Sequence, residues 1–257
     1  VLILLPPSES KNPPKRRGAP VDLAALSFPE LTPIRTKVLR AVIETSTRPD
    51  ALPRLQVGPS IADEVRRNTL LQQVPARPAL EIYSGVLFTA LDTPSLSPTA
   101  KRRGAARLVI VSGLWGAIRP VDRIPPYRLH ICSELVGLGS LEPLWRTMLP
   151  TVLAGAAGRR GVIVDCRSSS YQAVGMPEEL GDRTVAIRVV RDDGRRSAAS
   201  YAAKQTRGEA TRYLLETGAD PATPHDLVDV LADRWSVTLD PQKQPGKPWT
   251  ANVVATG

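Results

Sequence analysis

Four short apolar runs limit the fold most strongly: residues 1–5 (VLILL), 107–111 (RLVIV), 161–166 (GVIVDC) and 184–190 (TVAIRVV). Each has the length of a strand and is bounded by Gly, Pro or polar residues, so each reads as a buried β-strand. The intervening segments carry helical spacing. Residues 33–45 place Ile34, Val38, Leu39, Val42 and Ile43 on one stripe, with Pro33 at the first turn. Residues 62–71 and 141–157 read as further helices. Strands separated by helices predict an α/β or mixed α+β architecture, with a central mixed sheet and helices around it. No repeat, heptad or long linker divides the chain, so one domain is expected over residues 1–257.

The chain has 257 residues, 42% of them hydrophobic, enough to bury a full core. No run reaches the ~18 apolar residues of a membrane span, so a soluble, cytoplasmic protein is expected. Two cysteines, Cys132 and Cys166, offer no disulfide framework. Two histidines give no metal-ligand spacing, and no metal or cofactor is expected. There is no GxSxG, Walker A, strand-borne GxGxxG, HExxH or CxxC, which removes the chemistries those motifs mark. The formal charge of +9 suits a polyanionic partner, with double-stranded DNA or a nucleotide as the candidates, and it equally suits a basic surface with no partner.

Residues 112–129 (SGLWGAIRPVDRIPPYRL) follow the second strand. Gly113 and Gly116 permit unusual backbone angles, while Pro120, Pro125 and Pro126 fix φ. The segment reads as a rigid connection, neither helix nor strand, that holds polar groups at a strand end, a common location for a site.

Four patches supply the chemistry. Ser8, Glu9, Ser10 and Lys11 follow the first strand; Ser112, Arg119, Asp122, Tyr127 and Arg128 follow the second; residues 167–171 follow the third; Lys204 and Arg207 stand three apart on a helix starting near Tyr201. Lys204 and Arg207 share a helix face. Set against Ser168, Ser169 and Ser170, they suit a phosphate or a DNA backbone, and they equally suit bracing ion pairs with Asp122 or Glu9. In an enzyme, Glu9 or Asp122 would be the general base, Tyr127 the acid and the arginines an anion clamp for a nucleotide or nucleoside. Cys166 ends an apolar strand, where an inert thiol is expected. Residues 33–72 sketch a helix-hairpin-helix around a Gly-Pro turn. Gly58, Ser60, Arg66 and Arg67 would there meet a DNA phosphate, although a plain αα-hairpin fits the pattern as well.

The segment at 112–129 resembles the SGLYG-x-x-RP-x-D-x-x-x-PYRLE signature of the YaaA peroxide-stress family. The opening VLILLPPSES, residues 83–91 (YSGVLFTAL), 162–171 (VIVDCRSSSY) and 200–213 (SYAAKQTRGEATRY) are similar to further family segments, in the same order. The resemblance implies that family's fold, with a helix-hairpin-helix element, DNA binding and a role in hydrogen peroxide stress. Four positions depart from the pattern. His130 stands where a Glu follows Tyr-Arg-Leu, Cys166 and Arg167 replace Leu-Ala, and Ser170 replaces an acidic residue before Tyr171. Two carboxylates are thus absent, and the expected cleft is more positive than the family pattern implies.

Overall fold

The computed structural model describes residues 1–190 and 201–255. Seven strands form the central sheet: β1 (Leu2–Leu5), β2 (Leu108–Ser112), β3 (Gly116–Ile118), β4 (Ile163–Asp165), β5 (Thr184–Val190), β6 (Val237–Asp240) and β7 (Trp249–Val254). Their order is β6-β7-β5-β4-β1-β2-β3. The neighbours β7/β5, β5/β4, β4/β1 and β1/β2 pair in parallel, while β6/β7 and β2/β3 pair antiparallel. Every residue of β1, β2 and β4 is buried, which is why these strands read as unbroken apolar runs. The fold is mixed α/β, as the alternation of strand and helix predicts.

The connection after β2 differs from the expected irregular loop, because it holds the short strand β3. Gly116, at φ +69°, opens that return strand. A Cβ there would lie 2.5 Å from the Trp145 ring, whose indole N–H donates to the Gly113 carbonyl at 2.9 Å. A close approach of backbone to a large buried ring therefore requires glycine.

Helices cover the sheet: α1 (Thr32–Ser46), α2 (Ala62–Arg67), α3 (Val86–Leu91), α4 (Pro98–Arg107), α5 (Leu149–Ala157), α6 (Tyr201–Thr217) and α7 (Pro224–Ala232). The single helix expected over 141–157 is two, Leu141–Arg146 and α5. Met148 leaves helical geometry at φ −128°, and Pro150, lacking an N–H, can stand only in the first turn of the second. Between α1 and α2 stand a helical turn, Ala51–Arg54, and a 3-10 turn, Pro59–Ile61, so this stretch is more broken than two helices around one hairpin. Asp192-Asp193-Gly194, residue types that favour a hairpin turn after the 184–190 run, lie outside the described residues.

Helix α6 packs on α3 at Gly208, where a Cβ would collide with the Leu87 carbonyl oxygen and sit 2.8 Å from the Ala90 Cβ. Gly208→Ala is expected to force the helices apart and cost about 1–3 kcal/mol, despite alanine's better helix propensity, read as a lowered urea midpoint. Arg103 on α4 caps α6, donating to the carbonyls of Leu215 and Glu216 at 2.9 and 3.0 Å, while Lys101 and Arg102 are exposed.

Candidate functional site

Going along the chain, β2 is laid down on one side of β1 and β4 on the other. The loops leaving β1 and β4 therefore diverge at the carboxyl edge of the sheet and leave a crevice, the usual place for a ligand in an open α/β sheet. A cavity of about 1030 Å³ occupies it, lined by residues 6–11 after β1 and 167–172 after β4. Residues 84–88 at the start of α3, Arg128 to His130, the β5 residues Ala186 to Arg188, Lys204 and Arg207 of α6, and the turn bearing Lys243 and Lys247 line the rest of the wall.

Lys11 is held against the rest of the site. Its ammonium donates to the Ser8 carbonyl at 2.7 Å and the Glu9 carbonyl at 3.3 Å, and it lies 4.1 Å from the centroid of the Tyr127 ring. Burial, with the Arg128 charge as the next cause, pulls its pKa down to about 7. Tyr127 is buried beneath it and does not line the cavity. The Tyr127 hydroxyl bonds those of Tyr83 (2.9 Å) and Ser112 (2.7 Å). Ser112 Oγ already accepts the Leu114 and Trp115 amides, each at 3.2 Å, so its own proton goes to Tyr127. Burial pushes Tyr127 up to about 12, which keeps it a neutral phenol.

Arg128 is fixed at both ends. Its guanidinium pairs with Glu9 at 3.0 Å and approaches Glu64 of α2 at 3.8 Å. Its backbone N–H donates to Asn68 Oδ1, and its carbonyl accepts from Asn68 Nδ2, both at 2.8 Å. Residues 168–170 are positioned by a buried pair below them. Arg167 donates to both oxygens of Asp165, at 2.9 and 2.8 Å, and reaches the Tyr171 carbonyl at 3.1 Å. Arg207 donates twice to the Ile187 carbonyl, at 3.2 and 3.1 Å, while Lys204 is exposed.

Glu9, Lys11, Arg128, Ser168, Ser169, Ser170, Lys204 and Arg207 thus converge on one cavity. Asp122 and Arg119 do not reach it. The Asp122 carboxylate accepts the Ser27 N–H and hydroxyl at 3.0 and 2.8 Å and the Arg119 N–H at 2.8 Å, so it ties two loops together. Arg119 donates to the carbonyls of Ala106 and Leu108. The bracing pair of Asp122 with Lys204 or Arg207 is therefore not formed. Gly58, Ser60, Arg66 and Arg67 are exposed away from the cavity, and Arg66 pairs with Asp63. Gly58, at φ −80°, uses no special glycine conformation.

Arg188, Lys243 and Lys247 are the cations that sequence reasoning missed. Arg188 is the one charge inside the apolar run 184–190, and the lysines flank a Pro-Gly turn, the two signals that were present. Arg188 bonds Asp240 and Asn252, each at 3.1 Å. His130, another lining residue, stacks edge-on with Tyr171 and accepts the Cys132 N–H on Nδ1 at 3.2 Å. Burial lowers its pKa, favouring the neutral ring. Cys166 is fully buried, and burial pushes its thiol up to about 12. No helix among the described residues is long and apolar enough to cross a membrane.

The sequence is 42% identical to a UPF0246 protein of Streptomyces coelicolor over 99% of this chain and 98% of that protein. It is 38% identical to a UPF0246 protein of Corynebacterium efficiens over 90% and 91% of the two chains, and 32% identical to one of Corynebacterium glutamicum over 99% and 100%. The family model described as peroxide stress protein YaaA matches residues 1–240. With relatives matched over nearly their whole length and the site assembled from the segments that carry the signature, the chain belongs to the YaaA peroxide stress protein family.

Proposed function

We propose that the protein binds DNA through the phosphate backbone at this cleft, in the setting of peroxide stress that the family's name describes. The observation that carries the reading is the imbalance of charge around the cavity. Lys11, Arg128, Arg188, Lys204, Arg207, Lys243 and Lys247 line it, against Glu9 as the one lining carboxylate among the described residues. Such a surface gains affinity by releasing counterions from phosphates, so affinity depends steeply on salt. Duplex binding, followed by fluorescence anisotropy, is expected to weaken between ~50 and ~200 mM salt with a slope set by the phosphates contacted. Lys204→Ala, at an exposed position, is expected to weaken binding for all sequences alike and reduce that slope by about 1. A salt-independent response, or no binding at low salt, refutes the reading.

A second reading, an enzyme acting on a nucleotide, draws on a different observation. The cavity has a ligand's dimensions and sits at the point where the loops after β1 and β4 diverge. Glu9 is its lining carboxylate, and Tyr127 lies one layer below. Incubation with a nucleotide panel followed by mass analysis tests it, and absence of both turnover and retained ligand rejects it.

A further inference from the structure

We propose that the Lys11 amine forms an imine with the aldehyde of a phosphate-bearing sugar bound in the cleft. The inference rests on reading the cleft as a phosphate site and assigns a covalent step to one of its residues. Lys11 lines the cavity, and its Nζ is held by two fixed acceptors, the Ser8 and Glu9 carbonyls. A neutral amine has two protons and one lone pair. Two protons satisfy the two carbonyls, and the lone pair is left unengaged.

The surroundings favour that neutral form. The Nζ is desolvated and the Arg128 charge opposes a second cation, while Glu64 and Glu9 favour one and offset part of the shift, which leaves the pKa at about 7. At pH 7 roughly half the molecules carry a free amine here, against about one in ~2,500 for an ordinary lysine of pKa ≈ 10.4. Arg207 and Ser168 to Ser170 line the same cavity and supply donors for the phosphate of the same ligand. The cleft therefore offers a nucleophilic nitrogen and an anion site in one cavity, the pairing that a sugar phosphate with an open-chain aldehyde requires.

In the step itself the Nζ lone pair attacks the aldehyde carbon while the carbonyl π pair moves to oxygen. A proton passes from nitrogen to that oxygen, giving a carbinolamine; a proton from water then enters the hydroxyl, the nitrogen lone pair expels it as water to form C=N, and the N–H proton of the resulting iminium returns to water. No oxidant or reductant is consumed, and water reverses the reaction.

The aldehyde has two chemically equivalent sources: the ring-opened sugar of an abasic position in DNA, and a free aldose phosphate. The full chain is incubated with a duplex containing one abasic position, with the intact duplex, and with ribose 5-phosphate. Each mixture is then treated with borohydride, which adds hydride to an imine carbon and fixes it as a secondary amine. The expected result is a single adduct mapping to the peptide that contains Lys11, formed half-maximally near pH 7 and lost in Lys11→Arg, whose folding is checked by its melting transition. Trapping with the abasic duplex assigns the source to DNA, and trapping with ribose 5-phosphate alone assigns it to a small sugar phosphate. Adducts shared equally with exposed Lys204, Lys243 and Lys247 overturn the proposal, as does no adduct with either aldehyde. If the intact duplex binds and neither aldehyde is trapped, the imine fails and the DNA reading stands. If no duplex binds but ribose 5-phosphate is trapped at Lys11, the imine stands and the DNA reading fails.

Discussion

Arg35→Ala is expected to lower the unfolding free energy by about 3 kcal/mol or more, because three buried carbonyls lose the donor it supplies at ~1–3 kcal/mol each, while the Phe28 carbonyl keeps the Leu31 N–H. Arg35 is fully buried on α1, and its guanidinium donates to four backbone carbonyls: Trp115 at 2.9 Å, Phe28 at 3.2 Å, and Ser27 and Ala117 at 2.7 Å each. No carboxylate faces it at ion-pair distance among the described residues. Burial lowers its pKa to about 10, with Asp122 and Glu30 opposing the shift, so it remains a cation at neutral pH. One side chain thus fastens three separate pieces: helix α1, the turn at residues 27–28 and the return strand β3. A lysine in its place keeps a charge but loses the planar fork, so Arg35→Lys should recover only a minor part of the loss. Urea unfolding of the three proteins checks this, and a shift for Arg35→Ala below ~1 kcal/mol contradicts the bonding described.

The second large effect is expected at Arg167. Arg167→Ala leaves the buried Asp165 without its guanidinium partner, retaining the residue-167 backbone N–H, and breaking such a pair from one side costs about 3–5 kcal/mol. Its consequence for binding is separate from that for stability. Without the bond to the Tyr171 carbonyl, residues 168–170 lose the guanidinium beneath them, and the duplex affinity proposed for the cleft should fall even at temperatures where the variant is folded. The double change Asp165→Asn with Arg167→Met removes the stranded charge and is expected to restore part of the stability without restoring affinity. Calorimetry of the two variants, with anisotropy titrations below their melting temperatures, separates the two effects. Equal destabilisation by the single and double changes would mean that charge is not the cause.

β1, β2 and β4 were legible because a strand buried at every residue shows as an unbroken apolar run, whereas β3, three residues long, and the partly exposed β6 and β7 were not read from the sequence. β5 runs over the seven residues, Thr184–Val190, that its apolar run marks. Helix α1 was legible in its bounds to one residue at each end, yet its most consequential residue was not. The apolar stripe puts Val38, Leu39 and Val42 in the core as expected, but Arg35 is buried while Ile34 and Ile43 are only half-buried. An arginine reads as solvated until the four carbonyls that surround it are brought together by tertiary structure. The same limit applies at the site. Lys11, Arg128 and the serine turn are visible as polar groups just past strand ends, where parallel sheets leave their loops. Arg188, Lys243 and Lys247 join them only because β7 pairs beside β5 and carries its turn over the cavity. Asp122 shows the converse: its neighbourhood in sequence is the signature loop, but Ser27, 95 residues away, claims its carboxylate.

Asn68 has a consequence that reaches beyond the loop it touches. Its side-chain amide offers one acceptor and one donor to the N–H and carbonyl of Arg128, which is what a residue of a neighbouring strand would offer. It acts as a borrowed peptide group, giving ladder-like pairing to a proline-flanked stretch that has no strand beside it at that point. Its Nδ2 also reaches Ser46 Oγ at 3.1 Å, so the graft is anchored in the end of α1. A carboxylate of the same shape could accept but not donate, and a leucine could do neither. The backbone of the arginine that lines the cavity is therefore held in place by the chemistry of a single carboxamide 60 residues earlier in the chain.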